Sequence, residues 1–202
     1  IDVRQVYLDA GGLIAHARPG TLLVDMTTSN PSLARLIAEA AAARGLSALD
    51  APVSGGDVGA REATLAIMVG GGEADFARAL PLFEAMGKTI RRLGPAGAGQ
   101  HAKMVNQIVI AGTIMGVAEG MAYAQRCGLD PKEVLAVIAT GAAGGSQLNK
   151  LGPRMIDGDF APGFYIHHFI KDMGIAAASS RAMGLDLPAL ALSKSRYDEL
   201  SR

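Results

Sequence analysis

Short apolar runs alternate with amphipathic stretches through the first half of the chain, and in the second half only helical spacing remains. Residues 21–25 (TLLVD) follow the turn signal Pro19-Gly20 and predict a strand. Asn30 then offers a helix cap and Pro31 suits the first helical position. Leu33, Leu36 and Ile37 make an apolar stripe, and Gly45 after Arg44 is a stop. Residues 46–50 (LSALD) and 65–69 (LAIMV) predict two more strands, with a helix near 74–86 and a strand near 89–93 after them. Strands and helices in alternation are the pattern of a parallel sheet covered by helices.

From Gly99 the period changes. Residues 100–126 carry helical spacing without a proline, Gly128 stops the run, and Asp130-Pro131 restarts it. Helices are expected near 131–140, 146–156, 168–183 and 188–200, with Gly- or Pro-containing joints between them. The boundary is read near Gly94-Pro95, which makes residues 1–95 an α/β part and residues 96–202 an all-helical part. The opening residues (IDVRQVYL) begin without an initiator Met and read as the interior of a longer chain.

Composition narrows the chemistry. With 19 basic and 19 acidic residues the formal net charge is zero, and Arg91-Arg92 is the only basic doublet, so no nucleic-acid partner is expected. The single Cys127 excludes an internal disulfide and a multi-thiolate zinc site. It is read as a small buried hydrophobe in a reducing, cytoplasmic setting. No uninterrupted apolar run approaches the roughly 20 residues of a membrane span, so no membrane partner is expected. The 26 glycines and 4% aromatics suit an α/β protein whose turns bring backbone close to a ligand.

Three segments carry candidate chemistry. Residues 50–56 (DAPVSGG) stand where a strand ends, the place at which open α/β sheets take ligands. Two glycines after Ser54 let backbone N–H groups and a hydroxyl meet an anion, although an ordinary turn has the same composition. At the mouth of the long helix Lys103, Asn106 and Gln107 fall at i, i+3 and i+4. An ammonium and two amides therefore share one face among Ala102, Met104, Val105, Ile108, Val109 and Ile110. This helix is expected to be buried nearly all round, so the polar triplet needs partners. A partly desolvated lysine exchanges protons near neutrality, as a general acid must. Gly97-x-Gly99-x-x-Ala102 also mimics a dinucleotide fingerprint, but a helix rather than a second strand follows it, and that match is rejected. The third segment is Lys171-Asp172, read as early in its helix, where Asp172 would ordinarily be a favourable charge in the first turn and Lys171 a snorkelling side chain. The adjacent His167 and His168 lack the i, i+4 spacing of helical ligands, so no metal is expected.

Taken together these segments resemble the β-hydroxyacid dehydrogenase family. The likeness runs nearly end to end, over Val24–Pro31 (VDMTTSNP), DAPVSGG with Gly59-Ala-Arg-Glu and Leu65, and Ile67–Gly71. It continues through the Gly99/Lys103/Asn106/Gln107 helix start, Phe160–Phe164 (FAPGF) and Lys171-Asp172. The resemblance implies a Rossmann-like α/β domain, here partial, followed by an all-α domain joined to it by a long helix, with NAD or NADP as cofactor. It implies interconversion of a small 3-hydroxy acid and its semialdehyde. Lys103 would be the catalytic proton donor and acceptor, and Ser54, Gly55, Gly56 and Asn106 would hold the substrate. Thr28 and Lys171 would contact the cofactor, Asp172 would orient Lys171 or its helix start, and the helical part would pack against a second copy. The family's opening strand and its Gly-x-Gly-x-x-Gly turn have no counterpart in these 202 residues, so weakened dinucleotide affinity is expected of this stretch by itself. A catalytically silent scaffold and a phosphogluconate dehydrogenase-like enzyme, which would need an added basic pocket, are the alternative readings.

Overall fold

A computed structural model describes residues 2–161 and 163–202. Ile1 of the opening segment and Pro162 of the FAPGF motif lie outside the described residues. The chain divides into two compact units, Ile1–Val105 and Asn106–Arg202.

The first unit contains α1 (Val3–Leu8), α2 (Leu13–His16), β1 (Leu22–Asp25), α3 (Pro31–Ala42), β2 (Ser47–Asp50), β3 (Val53–Ser54), α4 (Gly56–Arg61), β4 (Leu65–Gly70), α5 (Glu73–Glu84), β5 (Gly87–Gly94) and the start of α6 (Ala98–Arg126). Asn30 caps α3 by accepting the Ser32 N–H at 2.8 Å, and Pro31 occupies its first turn. β1 pairs with β2 in parallel, and β4 pairs with β5 in parallel.

The expected parallel pairs are present, and a short antiparallel segment makes the sheet mixed. Asp50 pairs with Gly70, Val53 with Ile67 and Ser54 with Ala66, all antiparallel, and the Met68 N–H donates to the Pro52 carbonyl at 3.0 Å. Residues 50–54 thus form one antiparallel run beside β4, with Pro52 at a position that asks only for an acceptor. A two-residue strand next to Pro and Gly has no readable period, so sequence reading passes over it.

Side chains alternate across the strands. Leu49, Ile67, Val69 and Ile90 pack with Ala79 and Phe83 of α5 on one side, joined by Leu22 and Val24. Leu23 turns the other way, to Ile37 and Ala41 of α3, Tyr7 of α1 and Ile14 of α2. Helices therefore cover both faces. The helices α1, α2 and α4, none of which the sequence analysis anticipates, are too short for hydrophobic periodicity to show. α1 rests on a capping box, in which the Asp2 carboxylate accepts the Arg4 N–H and the Gln5 side chain accepts the Asp2 N–H.

The second unit holds the rest of α6, then α7 (Pro131–Ile138), α8 (Ser146–Asp157), α9 (Ile166–Ala182) and α10 (Pro188–Leu200). Val117 and Met121 of α6 pack on Leu135 of α7 and Leu148 of α8. The Ser193 hydroxyl of α10 donates to the Ala111 carbonyl at 3.0 Å, and Phe169 meets Tyr197 edge-on at 5.1 Å, tying α9 to α10. α9 starts at Ile166, so Asp172 sits in its second turn and not at the dipole end.

Two further expectations change. α6 is not buried all round: Ala111, Ile114, Val117, Met121 and Ala124 are buried, while Val105, Val109 and Tyr123 on other sides of the helix are 58–74% exposed. Val105, Val109, Gly112, Gly116 and Gly120 stand among the outward residues of this helix, so no polar stripe marks that side. By length and hydropathy α6 is long and apolar enough to cross a membrane. Its buried Gln100, Lys103 and Gln107, however, are hydrogen-bonded to the chain itself, as in a core helix. Cys127 is exposed, its thiol 3.4 Å from the Ala124 carbonyl near the end of the same helix.

Candidate functional site

In the first unit the site begins with a close approach. The Asp50 carboxylate, at the end of β2, accepts the N–H groups of Gly97 and Gln100 at 2.8 Å each, satisfying donors that the start of α6 cannot satisfy within the helix. Only glycine allows this contact. A Cβ on Gly70 would lie 2.5 Å from Asp50 Oδ1, and one on Gly99 would lie 2.6 Å from the Asp50 carbonyl oxygen and strike that of Met68.

One helical turn beyond Gln100, Lys103 is 7% exposed and its Nζ donates to the Val53 carbonyl at 2.8 Å. Val53 precedes Ser54, which is half-buried, and then the exposed Gly55 and Gly56 at φ of +136° and +66°. These backbone angles are ones that side-chain-bearing residues rarely adopt. The fold thus brings the buried ammonium to the carbonyl that opens the Ser54-Gly55-Gly56 turn. Burial of such a cation is tolerable only because it is hydrogen-bonded.

Thr28 lies in the turn that follows β1, beyond the carboxyl end of a strand parallel to β2. This turn is held from both sides. Asp25 Oδ1 accepts the Thr27 N–H at 2.9 Å, and Asp25 Oδ2 accepts the Ser29 hydroxyl at 3.3 Å. From α6, Gln100 accepts the Ser29 N–H at 3.0 Å and donates to the Thr27 carbonyl at 2.8 Å. Thr28 between them stays partly exposed. Hydroxyls on a clamped turn at a strand's carboxyl end stand where open α/β sheets take ligands. Gln100 and Asp25 were not anticipated from sequence, because a lone Gln at a helix start and an Asp at a strand end carry no spacing signal. Nearby, burial and then Arg35 hold the His101 imidazole below its usual range against the opposing pull of Asp50, and the Arg35 guanidinium lies 3.5 Å from its Nε2. An open groove lined by Phe76, Leu80, Lys88 and Arg91 contains none of these residues.

In the second unit, four residues form a relay. Gln107, 2% exposed, donates through Nε2 to Asp172 Oδ2 at 2.7 Å, and its Oε1 accepts from Asn106 Nδ2 at 2.7 Å. Lys171 Nζ stands 3.2 Å from Asp172 Oδ1, with Asp172 2% exposed and Lys171 48% exposed. The amide orientations follow from chemistry. An ionised carboxylate only accepts, so Gln107 must turn its NH2 toward Asp172 and its oxygen toward Asn106. Asn106 and Lys171 are thereby linked through Gln107 and Asp172. Among the described residues, no group of three His, Cys, Asp or Glu is placed to hold a metal.

Comparison with known proteins accounts for both units. Residues 1–94 match the NAD-binding domain of 6-phosphogluconate dehydrogenase, and residues 97–202 match the NAD-binding domain of NADP-dependent 3-hydroxyisobutyrate dehydrogenase. An uncharacterised oxidoreductase of Bacillus subtilis is 57% identical over 99% of this chain and 69% of its own length. A probable mitochondrial 3-hydroxyisobutyrate dehydrogenase-like protein of Arabidopsis thaliana is 49% identical over 97% of this chain, which spans 59% of that protein. The solved structure of Mycobacterium tuberculosis 3-hydroxyisobutyrate dehydrogenase with L-serine superposes with a TM-score of 0.86 at 35% identity, covering 93% of this chain and 67% of that one. With a mixed sheet followed by a long helix and a helical unit, NAD-binding family models over residues 1–94 and 97–202, and an oxidoreductase relative 57% identical over 99% of it, the chain belongs to the β-hydroxyacid dehydrogenase family, whose cofactor is NAD or NADP.

Proposed function

We propose that this chain carries the proton-transfer lysine and the substrate-carboxylate turn of an NAD(P)-dependent dehydrogenase that interconverts a small 3-hydroxy acid and its semialdehyde. One observation carries this reading: the buried Lys103 ammonium lies on the Val53 carbonyl, at the opening of the Ser54-Gly55-Gly56 turn. The Ser54 hydroxyl and the Gly55 and Gly56 N–H groups hold the substrate carboxylate, and Asn106 is a further substrate-binding residue by resemblance to the family. The nicotinamide supplies or takes the hydride, and Thr28 and Lys171 contact that cofactor. As the carbonyl becomes an alkoxide, Lys103 stabilises the oxygen and gives it a proton, and in the oxidative direction the neutral amine removes the proton from the hydroxyl. Burial of the ammonium strengthens that interaction by excluding water.

The test is the full-length protein assayed with NAD and NADP against 3-hydroxyisobutyrate, L-serine and other small 3-hydroxy acids. Lys103→Ala lowers kcat by about 10²–10⁴-fold while circular dichroism stays native. Retained turnover in that variant refutes the role, and joint loss of fold and activity makes the lysine structural.

A second copy of the chain packs on the open side of α6 in this reading. Gly112, Gly116 and Gly120 fall at four-residue spacing there, and a Cβ at each would meet nothing. Small residues at that spacing let two helices approach closely.

A further inference from the structure

Gln100 is fully buried, at 0% exposure, although neither the carboxylate turn nor the proton transfer uses it. Its side chain is bonded at both ends to one turn, accepting from Ser29 N and donating to the Thr27 carbonyl, with Thr28 alone between those two residues. Its own N–H is held by Asp50. Lys103 follows one helical turn later. The partners leave the amide no freedom, because a backbone N–H can only donate and a carbonyl can only accept, so one side must be oxygen and the other NH2.

We propose that Gln100 is a positioning residue that fixes the turn bearing Thr28 at a set distance from the helical turn bearing Lys103. The hydride carrier and the proton donor are thereby kept in register. This rests on the dinucleotide reading of the Thr28 turn and adds to it the part that holds the turn in place. Misplacement of reacting groups by about 1 Å costs up to about 10²-fold in rate, which is why a clamp of this kind matters. A carboxylate in place of the amide would accept from Ser29 but face the Thr27 carbonyl without a proton. A protonated carboxyl would restore both bonds. The ionisable groups around the position are Asp50 on β2, which holds the Gln100 N–H, Asp25 on β1, which holds Ser29, and His101 and Lys103 on α6, with Arg35 of α3 beside His101. Burial and the two aspartates favour the protonated form of an added carboxyl, and the Lys103 ammonium opposes them.

The experiment compares Gln100→Glu and Gln100→Met with wild type in the full-length protein, using NADH and NADPH binding by fluorescence titration, steady-state kinetics and amide hydrogen exchange. Both variants weaken dinucleotide binding about tenfold or more at neutral pH. The KM for the hydroxy acid at saturating cofactor stays within about twofold. Binding by Gln100→Glu recovers toward about pH 5 relative to wild type measured over the same range, and binding by Gln100→Met does not. The Ser29 amide exchanges slowly in wild type and rapidly in Gln100→Met, which leaves it no amide or carboxylate acceptor. Unchanged dinucleotide binding in Gln100→Met, or equal loss in both kinetic constants without acid recovery, overturns the proposal. Should the variants fail to fold, the wild-type Ser29 amide decides: slow exchange supports the clamp, and exchange at the rate of an open turn refutes it. A wild-type protein that binds neither NADH nor NADPH refutes the dinucleotide reading itself.

Discussion

Tyr7 shows how one buried group ties stability to pH. Its ring is 7% exposed, and burial first, then the Asp25 carboxylate, push the phenol from 10.0 up to about 12. A phenol whose folded pKa exceeds its unfolded value keeps its proton in the native state while the unfolded chain loses it. Its contribution is therefore complete below about pH 10 and falls away as the pH climbs toward about 12. Thermal melts of Tyr7→Phe are thus expected to lose less stability than wild type between those limits and to differ little in shape below them. Equal alkaline slopes would show that Tyr7 does not titrate as described. At this scale Lys103, Ser54 and Asn106 were legible, because residue types at set spacing advertise chemistry. The long-range ties around them were not: Gln100 with the Thr27–Ser29 turn and Gln107 with Asp172 are separated by 65 to 73 positions. No local pattern connects groups so far apart along the chain.

Elements were legible where their ends are marked chemically. Asn30-Pro31 and Asp130-Pro131 open α3 and α7 as read, since cap and ring act within one turn. The short antiparallel run of residues 50–54 was not legible, because only β4 alongside makes it a strand. The start of α6 shows the same dependence on neighbours. An Ala in place of Gly within a helix ordinarily stabilises it by up to about 1 kcal/mol. At Gly99 the sign reverses, because the new Cβ meets the carbonyls of Met68 and Asp50. Gly99→Ala is expected to destabilise by about 1–3 kcal/mol in chemical denaturation and to lower activity by moving Lys103. A gain in stability would mean that the helix start is not held against the sheet.

For the whole molecule, the open side of α6 makes association the readable property. Gly116→Leu puts a better helix former where a Cβ meets no obstacle, so a lone copy should melt no lower than wild type and up to about 4 °C higher. Light scattering on the full-length protein is expected to show assembly in wild type and its loss in this variant, while an unchanged mass would place the contact elsewhere. By itself the amino-acid order determined the alternation of strands and helices, the change to helices after Gly94, and the residue types able to bind an anion and move a proton. Those features depend on interactions spanning a few residues, which period, caps and turn chemistry report directly. Only the tertiary structure decided that the sheet is mixed and that Asp50 caps a helix from another strand's end. The burial of Lys103 on the Val53 carbonyl, and the tie from Gln100 to the turn after β1, were likewise settled only there. Each of these joins groups tens of residues apart, and such contacts form only when the apolar faces on both sides of the sheet are buried together.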